Sequence, residues 1–144
     1  MICLQTALLH LFPDAVLPDV YGDGGDWKIT SDGKEARIVR WNRSEPEPSK
    51  EDLELAYEEA LKEKQIANKQ LEERAWRDSM LDKVLSRIDQ YEKDQGYPEE
   101  LRTSPIKSHD DFLRLLNDRK VLSDYPDSET FPFGERPILS GLAK

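Results

Sequence analysis

The chain has 144 residues, room for one ordinary domain or two very small ones, which excludes a multidomain enzyme. Charged residues make up 35% and apolar residues 37%, so any core is thin, and 21 Lys and Arg against 30 Asp and Glu leave a formal net charge of -9. That balance opposes the clustered cations that neutralise nucleic-acid phosphates or anionic membrane surfaces, and the single Cys3 excludes an intrachain disulfide and fits a reducing, cytoplasmic setting.

Met1 to Phe12 is apolar but has no cationic residues ahead of it and no small-residue cleavage site before Pro13, so it reads as a folded helix and not as a signal peptide. Leu4, Leu8, Leu11 and Phe12 recur at helical spacing, and Pro13 ends the element, with Cys3 and His10 as bystanders. The Gly22-Asp23-Gly24-Gly25-Asp26 stretch lacks the alternating oxygen ligands of a calcium loop and is expected to be a turn. Two strand-forming runs follow, Trp27 to Thr30 and Ala36 to Trp41, and Asp32-Gly33 between them marks a β-hairpin. Trp27 and Ile29 share a face; alternation in the second strand then offers either Ile38 or the pair Val39 and Trp41 to it.

Ser44-Glu45-Pro46-Glu47-Pro48 reads as a stiff linker. Ser49 with Asp52 then forms a capping-box signature, and from there to about Lys93 no Gly or Pro occurs, which predicts one helix on the order of 65 Å long. A heptad frame places Leu53, Tyr57, Ala60, Lys64, Ala67 and Leu71 on a seam that fails at Arg74 and Asp78. The first half is thus a candidate coiled coil or a solvated spacer. The second half carries Trp76, Met80, Leu81, Val84, Leu85, Ile88 and Tyr91, a broad stripe for packing against another helix. After a loop with Gly96, Pro98 and Pro105, Ser108 and Asp111 open a last helix with Phe112, Leu115, Leu116, Arg119 and Leu122 on one face. These two helices are expected to form an antiparallel hairpin in which Arg77 or Asp78 reaches across to Asp118 or Arg119. The Pro-rich end, with Phe131, Phe133 and Ile138, is too apolar for a disordered tail and calls for a surface to lie on.

No H-E-x-x-H, G-x-S-x-G, P-loop or zinc-spaced Cys/His pattern is present. His109 opens a helix beside Asp110 and Asp111, and Glu72, Glu73, Asp78 and Asp82 are interleaved with Arg74 and Arg77, which reads as a solvated, salt-bridged face and not as a catalytic carboxylate pair. No catalytic residue, cofactor or metal site is therefore expected.

Two stretches carry a resemblance. Trp76-Arg77, then Arg119-Lys120-Val121-Leu122-Ser123-Asp124-Tyr125-Pro126, Phe131-Pro132 and Pro137 resemble the W-R helix, the R-x-x-L-x-D-x-P motif, the F-P and the terminal Pro of the tail-assembly-chaperone-like domain attached to bacteriophage tail and tail-fibre proteins; Asp118 and Lys120 depart from the Tyr and Gln frequent there. Phe12-Pro13-Asp14-Ala15, the hairpin end Val39-Arg40-Trp41-Asn42 and the run Pro46 to Leu53 resemble the XkdW-type proteins of Bacillus prophage elements. The resemblance implies a non-enzymatic bacteriophage tail protein that binds a larger tail or tail-fibre polypeptide, as an assembly chaperone in the host cytoplasm or as a fibre or baseplate subunit kept in the virion tail.

The expected fold is α+β and mainly α. Residues 1–43 form a helix and hairpin module, 44–48 a linker, 49–75 a long helix, 76–126 a helical hairpin, and 127–144 an extended tail. The candidate partner-binding residues are Trp41, Leu53, Tyr57, Ala60, Ala67, Leu71, Trp76, Phe131, Phe133 and Ile138, with homo-oligomerisation through the long helix as a further expectation and no nucleic-acid or membrane partner. An acidic inhibitor that mimics DNA is the alternative, but cations alternate with anions along the helix instead of leaving one sign on a face.

Overall fold

The computed structural model describes residues 1–144, which run α1 (Leu4–Leu11), β1 (Trp27–Ser31), β2 (Ala36–Trp41), α2 (Lys50–Asp94) and α3 (His109–Asp124), with single 3₁₀ turns at Glu99–Leu101 and Tyr125–Asp127. The class is α+β, mainly α: three α-helices and one two-stranded antiparallel sheet. No helix is long and apolar enough to cross a membrane. The chain divides into two units, Met1–Gln65 and Ile66–Lys144.

In the first unit α1 buries Leu4, Ala7 and Leu8, the i, i+3, i+4 stripe that its sequence encodes. The hairpin turns at Gly33, whose φ of +87° suits a residue without Cβ, while Asp32 accepts the amides of Lys34 and Glu35 at 2.9 Å. The two faces offered by alternation in β2 are reconciled by a bulge. Trp27 pairs with Trp41 and Lys28 with Arg40, but Ile29 pairs with Ile38, so Val39 is the extra residue and points to solvent. Both Ile38 and Trp41 thereby join Trp27 and Ile29 on the core face. The indoles of Trp27 and Trp41 stack at 5.9 Å and Phe12 meets Trp41 edge-on at 5.5 Å.

That core closes only with Leu53 and Ala56 from the start of α2, which are 6% and 2% exposed, and with Tyr57 packed beside them. A module of about fifty residues is too small to bury its own apolar faces, and the first turns of the long helix supply the missing layer. The Pro-containing segment 44–48 accordingly lies inside the first unit. Ser49 and Asp52 complete the predicted capping box reciprocally, at 3.1 and 3.3 Å.

In the second unit the buried stripe of α2 runs Glu73, Trp76, Met80, Val84 and Ile88, whereas Arg74 and Asp78, where the heptad frame breaks, are exposed. Leu85, expected on this stripe, is 41% exposed. α3 answers with Leu115 and Leu122, both fully buried, and begins at Ser108, whose hydroxyl accepts the Asp111 amide. The pairing is antiparallel: Tyr91 stacks on Phe112 at 4.4 Å, and Trp76 meets Tyr125 edge-on at 5.8 Å. The surface that the apolar tail requires is its own hairpin, since Leu139, Leu142 and Ala143 pack on this core.

Replacing Leu53 by Ala should destabilise the first unit by about 2–4 kcal/mol, as truncation in a closed core does, whereas Leu71→Ala, at a side chain 68% exposed, should change stability by less than about 0.5 kcal/mol. Urea unfolding of both variants, followed by circular dichroism, checks the contrast.

Candidate functional site

Arg43 organises the first unit. Its side chain is only 10% exposed; Nη1 donates to Asp26 at 2.7 Å, Nη2 reaches Glu45 at 2.9 Å and Asp14 at 3.3 Å, and the guanidinium lies 4.7 Å over the Phe12 ring. The Glu45 hydrogen bonds above all, then those of Asp26 and Asp14, raise its pKa further above an already high value. Asp26 also accepts the Val16 amide, and Asp19 accepts the amides of Tyr21 and Asp23. Asp26 thus holds the segment that leads into the Gly/Asp-rich turn, and Asp19 holds the start of the turn. Gly25 is required there: its φ is +73°, and a Cβ would stand 2.4 Å from the Pro18 nitrogen. The loop so fixed presents Val20 and Tyr21, 93% and 84% exposed. His10 is no bystander, because its Nε2 meets Glu59 of α2 at 3.1 Å.

The second unit is built around three buried carboxylates, each holding an irregular stretch of chain. Glu73, 3% exposed, receives Nε and Nη2 of Arg136 at 2.8 and 3.2 Å, Nζ of Lys69 at 3.0 Å and the Tyr125 hydroxyl at 3.2 Å. Arg136 lies 4.6 Å over the Trp76 ring at the same time. The Arg136 hydrogen bonds, helped by those of Lys69 and Tyr125, outweigh burial and hold the Glu73 carboxyl at a pKa of about 2. Burial first, then the hydrogen bond to Glu73 and its charge, raises the Tyr125 phenol and keeps it a donor. Asp94, 4% exposed, ends α2 and accepts the amides of Thr103 and Ser104 at 3.2 and 2.7 Å, pinning the interhelical loop. Asp118, 2% exposed, accepts both the amide and the hydroxyl of Ser140, at 2.9 and 2.5 Å, pinning the tail.

The candidate residues fall in different surroundings. Leu53 is buried in the core of the first unit; Tyr57 and Trp41 are half-buried against the same core, and Ala60 is half-buried one turn on. Trp76 is half-buried between Tyr125 and Arg136, and Phe131 is half-buried edge-on to Tyr125 at 5.2 Å. Arg77 pairs with its neighbour Asp78 at 2.7 Å instead of crossing to α3, and it is Asp118, not Arg119, that lies on the buried stripe. Ala67, Leu71, Phe133 and Ile138 remain exposed, the last three by 68%, 64% and 92%.

Glu73 and Asp118 were missed because they are acidic residues at core positions. The available signal was positional: Asp118 sits three residues after Leu115 and four before Leu122, and Glu73 three before Trp76. Of the residues that carry the C-terminal resemblance, Trp76, Leu122, Phe131 and Pro132 lie in or against this packed end, whereas Arg119 and Asp124 are exposed.

Residues 4–65 match the family model of the XkdW protein. The first unit is an XkdW-type phage module. Its match covers α1, the bulged hairpin and the part of α2 that closes their core, and the protein is accordingly phage-associated. The XkdW match ends where the second unit begins. Comparison with curated proteins and with solved structures gives no match.

Because the Glu73 carboxyl is held below its ordinary value of 4.5, its contribution to stability is fully present above about pH 4.5 and is lost as pH falls toward 2. Glu73→Gln should cost roughly 2–3 kcal/mol at pH 7, less than a fully buried pair because Arg136 and Lys69 keep contact with water. Urea unfolding across pH 7 to 2 should show variant and wild type converging at the acid end.

Proposed function

We propose that this protein is a non-enzymatic component of phage tail morphogenesis that binds a larger tail or tail-fibre polypeptide, in the host cytoplasm during assembly, as a chaperone or as a subunit retained in the tail. The observation that carries the reading is the way the C-terminal tail presents its apolar side chains. Arg136 is tied to Glu73 and Ser140 to Asp118, so the backbone between and beside these clamps is fixed while Phe133 and Ile138 stand in solvent. Exposed apolar anchors on pinned backbone lose little entropy when a partner covers them, which is the economical arrangement for protein recognition. Leu113 lies beside Ile138 in the same shallow groove and widens the patch.

The surroundings of the buried carboxylates favour binding over catalysis. Each buried carboxylate accepts hydrogen bonds from its own chain, Glu73 from Arg136 and Tyr125, Asp94 from the Thr103 and Ser104 amides and Asp118 from Ser140, so each is engaged in holding the fold. The phage association of the first unit supplies the setting, and the chaperone-like motif of the second supplies the tail-assembly context.

Phe133→Ser combined with Ile138→Ser should lower recovery of the tail polypeptide from phage-producing cells at least about tenfold, while thermal unfolding stays within about 2 °C of wild type because both side chains are already exposed. Affinity capture with mass spectrometry reads the first quantity. Capture of a host nuclease or polymerase without any tail polypeptide would overturn the reading.

A further inference from the structure

The first unit contains a groove of about 430 Å³ that the chain itself leaves uncovered, walled by the end of α1, the Pro46–Pro48 segment and one face of α2. Four carboxylates line it, those of Glu45, Glu47, Asp52 and Glu59, and no cation does. Only Glu45 is neutralised, by Arg43. Asp52 gives one oxygen to the Ser49 amide, Glu59 meets the ring of His10, and Glu47 enters the groove without an ion-pair partner. The floor and walls are apolar: Ala56 is buried at the bottom, while Leu11 and Leu55 are 37% and 59% exposed at the sides. The other groove of this unit, beside β2, shares Glu47 with this one and has Lys34, Arg37 and Lys50 set against Glu35 and Glu54, so it is not uniformly acidic.

We infer that this groove docks a cationic amphipathic helix of the partner polypeptide. The inference names the surface and the partner chemistry within the reading above, and rests on it. Asp52, Leu55, Ala56 and Glu59 fall at i, i+3, i+4 and i+7 of α2, a stripe with an apolar middle and anionic ends that a second helix can lie along. Aliphatic side chains of that helix cover Leu11 and Leu55, and its Lys or Arg residues reach Glu47, Asp52 and Glu59. The opposite wall favours a helix over an extended strand: Pro46 and Pro48 have no N–H to donate, so a strand paired there would lose those ladder hydrogen bonds, whereas a helix brings its backbone already hydrogen-bonded. The unit's composition agrees in sign, with 14 Asp and Glu against 8 Lys and Arg in residues 1–65.

The test uses the full chain and two synthetic amphipathic helices sharing one leucine stripe, one with lysine on its polar face and one with glutamate. Nuclear magnetic resonance titration should show the lysine peptide perturbing Leu11, Leu55, Ala56 and Glu59 and the glutamate peptide perturbing nothing, with affinity falling as salt rises. Glu47→Gln with Glu59→Gln should weaken the lysine peptide about tenfold, Leu55→Ser should do likewise without removing charge, and Glu99→Gln with Glu100→Gln in the second unit should leave it within about twofold. Binding of both peptides alike, binding of neither, perturbation elsewhere, or equal loss in the distant variant would overturn the inference. In captures from phage-producing cells, groove variants that retain a tail polypeptide at wild-type level sink the groove and leave the tail reading standing. Absence of any tail polypeptide from the wild-type capture sinks the tail reading, and the peptide titration then decides the groove by itself.

Discussion

Glu73 is an ionised carboxylate with almost no contact with water, set on the apolar stripe of a helix, and the end of α3 and the C-terminal tail are arranged around keeping it satisfied. A bare carboxylate in that position would be too costly to keep charged. Arg136 reaches it from the tail, Tyr125 from the end of α3, and Lys69 from one turn earlier on α2, so three chain segments that share no regular hydrogen bonding meet at one charge. The aromatic rings follow from the same point, since Trp76 lies under Arg136 and edge-on to Tyr125, which in turn meets Phe131. Once Arg136 is fixed, the following residues are near enough for Ser140 to find Asp118 and for Leu139 and Leu142 to cover the helical core. A tail with no secondary structure of its own acquires a defined course from two polar clamps and a few apolar contacts.

The first unit meets a similar shortage of apolar material by a different route. Its core is small, and Arg43 stands at its edge with its charge shared among Asp14, Asp26 and Glu45 and its planar face on Phe12. The guanidinium does what a further layer of aliphatic side chains would do in a larger domain: it covers an aromatic ring and ties the turn before β1 to the segment after β2. Such an arrangement tolerates the high charge density of the sequence because the charges are used in pairs. The price is a surface that stays acidic where the pairing stops, around the groove beside Pro46 and Pro48.

Much of the local structure was legible. Helix limits came from Pro13, Ser49 and Ser108, because a proline removes a donor and a capping hydroxyl supplies an acceptor wherever the chain goes afterwards. The hairpin came from Asp32-Gly33. The β2 face was ambiguous, and the bulge at Val39 settled it: strict alternation cannot put Ile38 and Trp41 on one side, and the core needed both. The candidate binding residues differ in burial. Trp41, Leu53, Tyr57 and Trp76 are large and apolar, and a single sequence gives them the same appearance whether a partner or the chain itself covers them. Leu71, Phe133 and Ile138 share that appearance and are the ones left uncovered.

By itself the sequence determined where the backbone is helical, where it turns and which residues are apolar, since these depend on neighbours within about one turn of helix or one hairpin. Tertiary structure alone decided which apolar stripes meet. The heptad continued on paper through Leu53, Ala60 and Ala67, but burial stops near Ala60 and begins again on the stripe from Glu73, because the surfaces that cover each stretch come from elements far away in sequence. The acidic core positions were likewise beyond local reading: Glu73, Asp94 and Asp118 are tolerable only because donors 63, 10 and 22 residues away arrive at the right atoms, and a carboxylate's cost is fixed by what surrounds it in space.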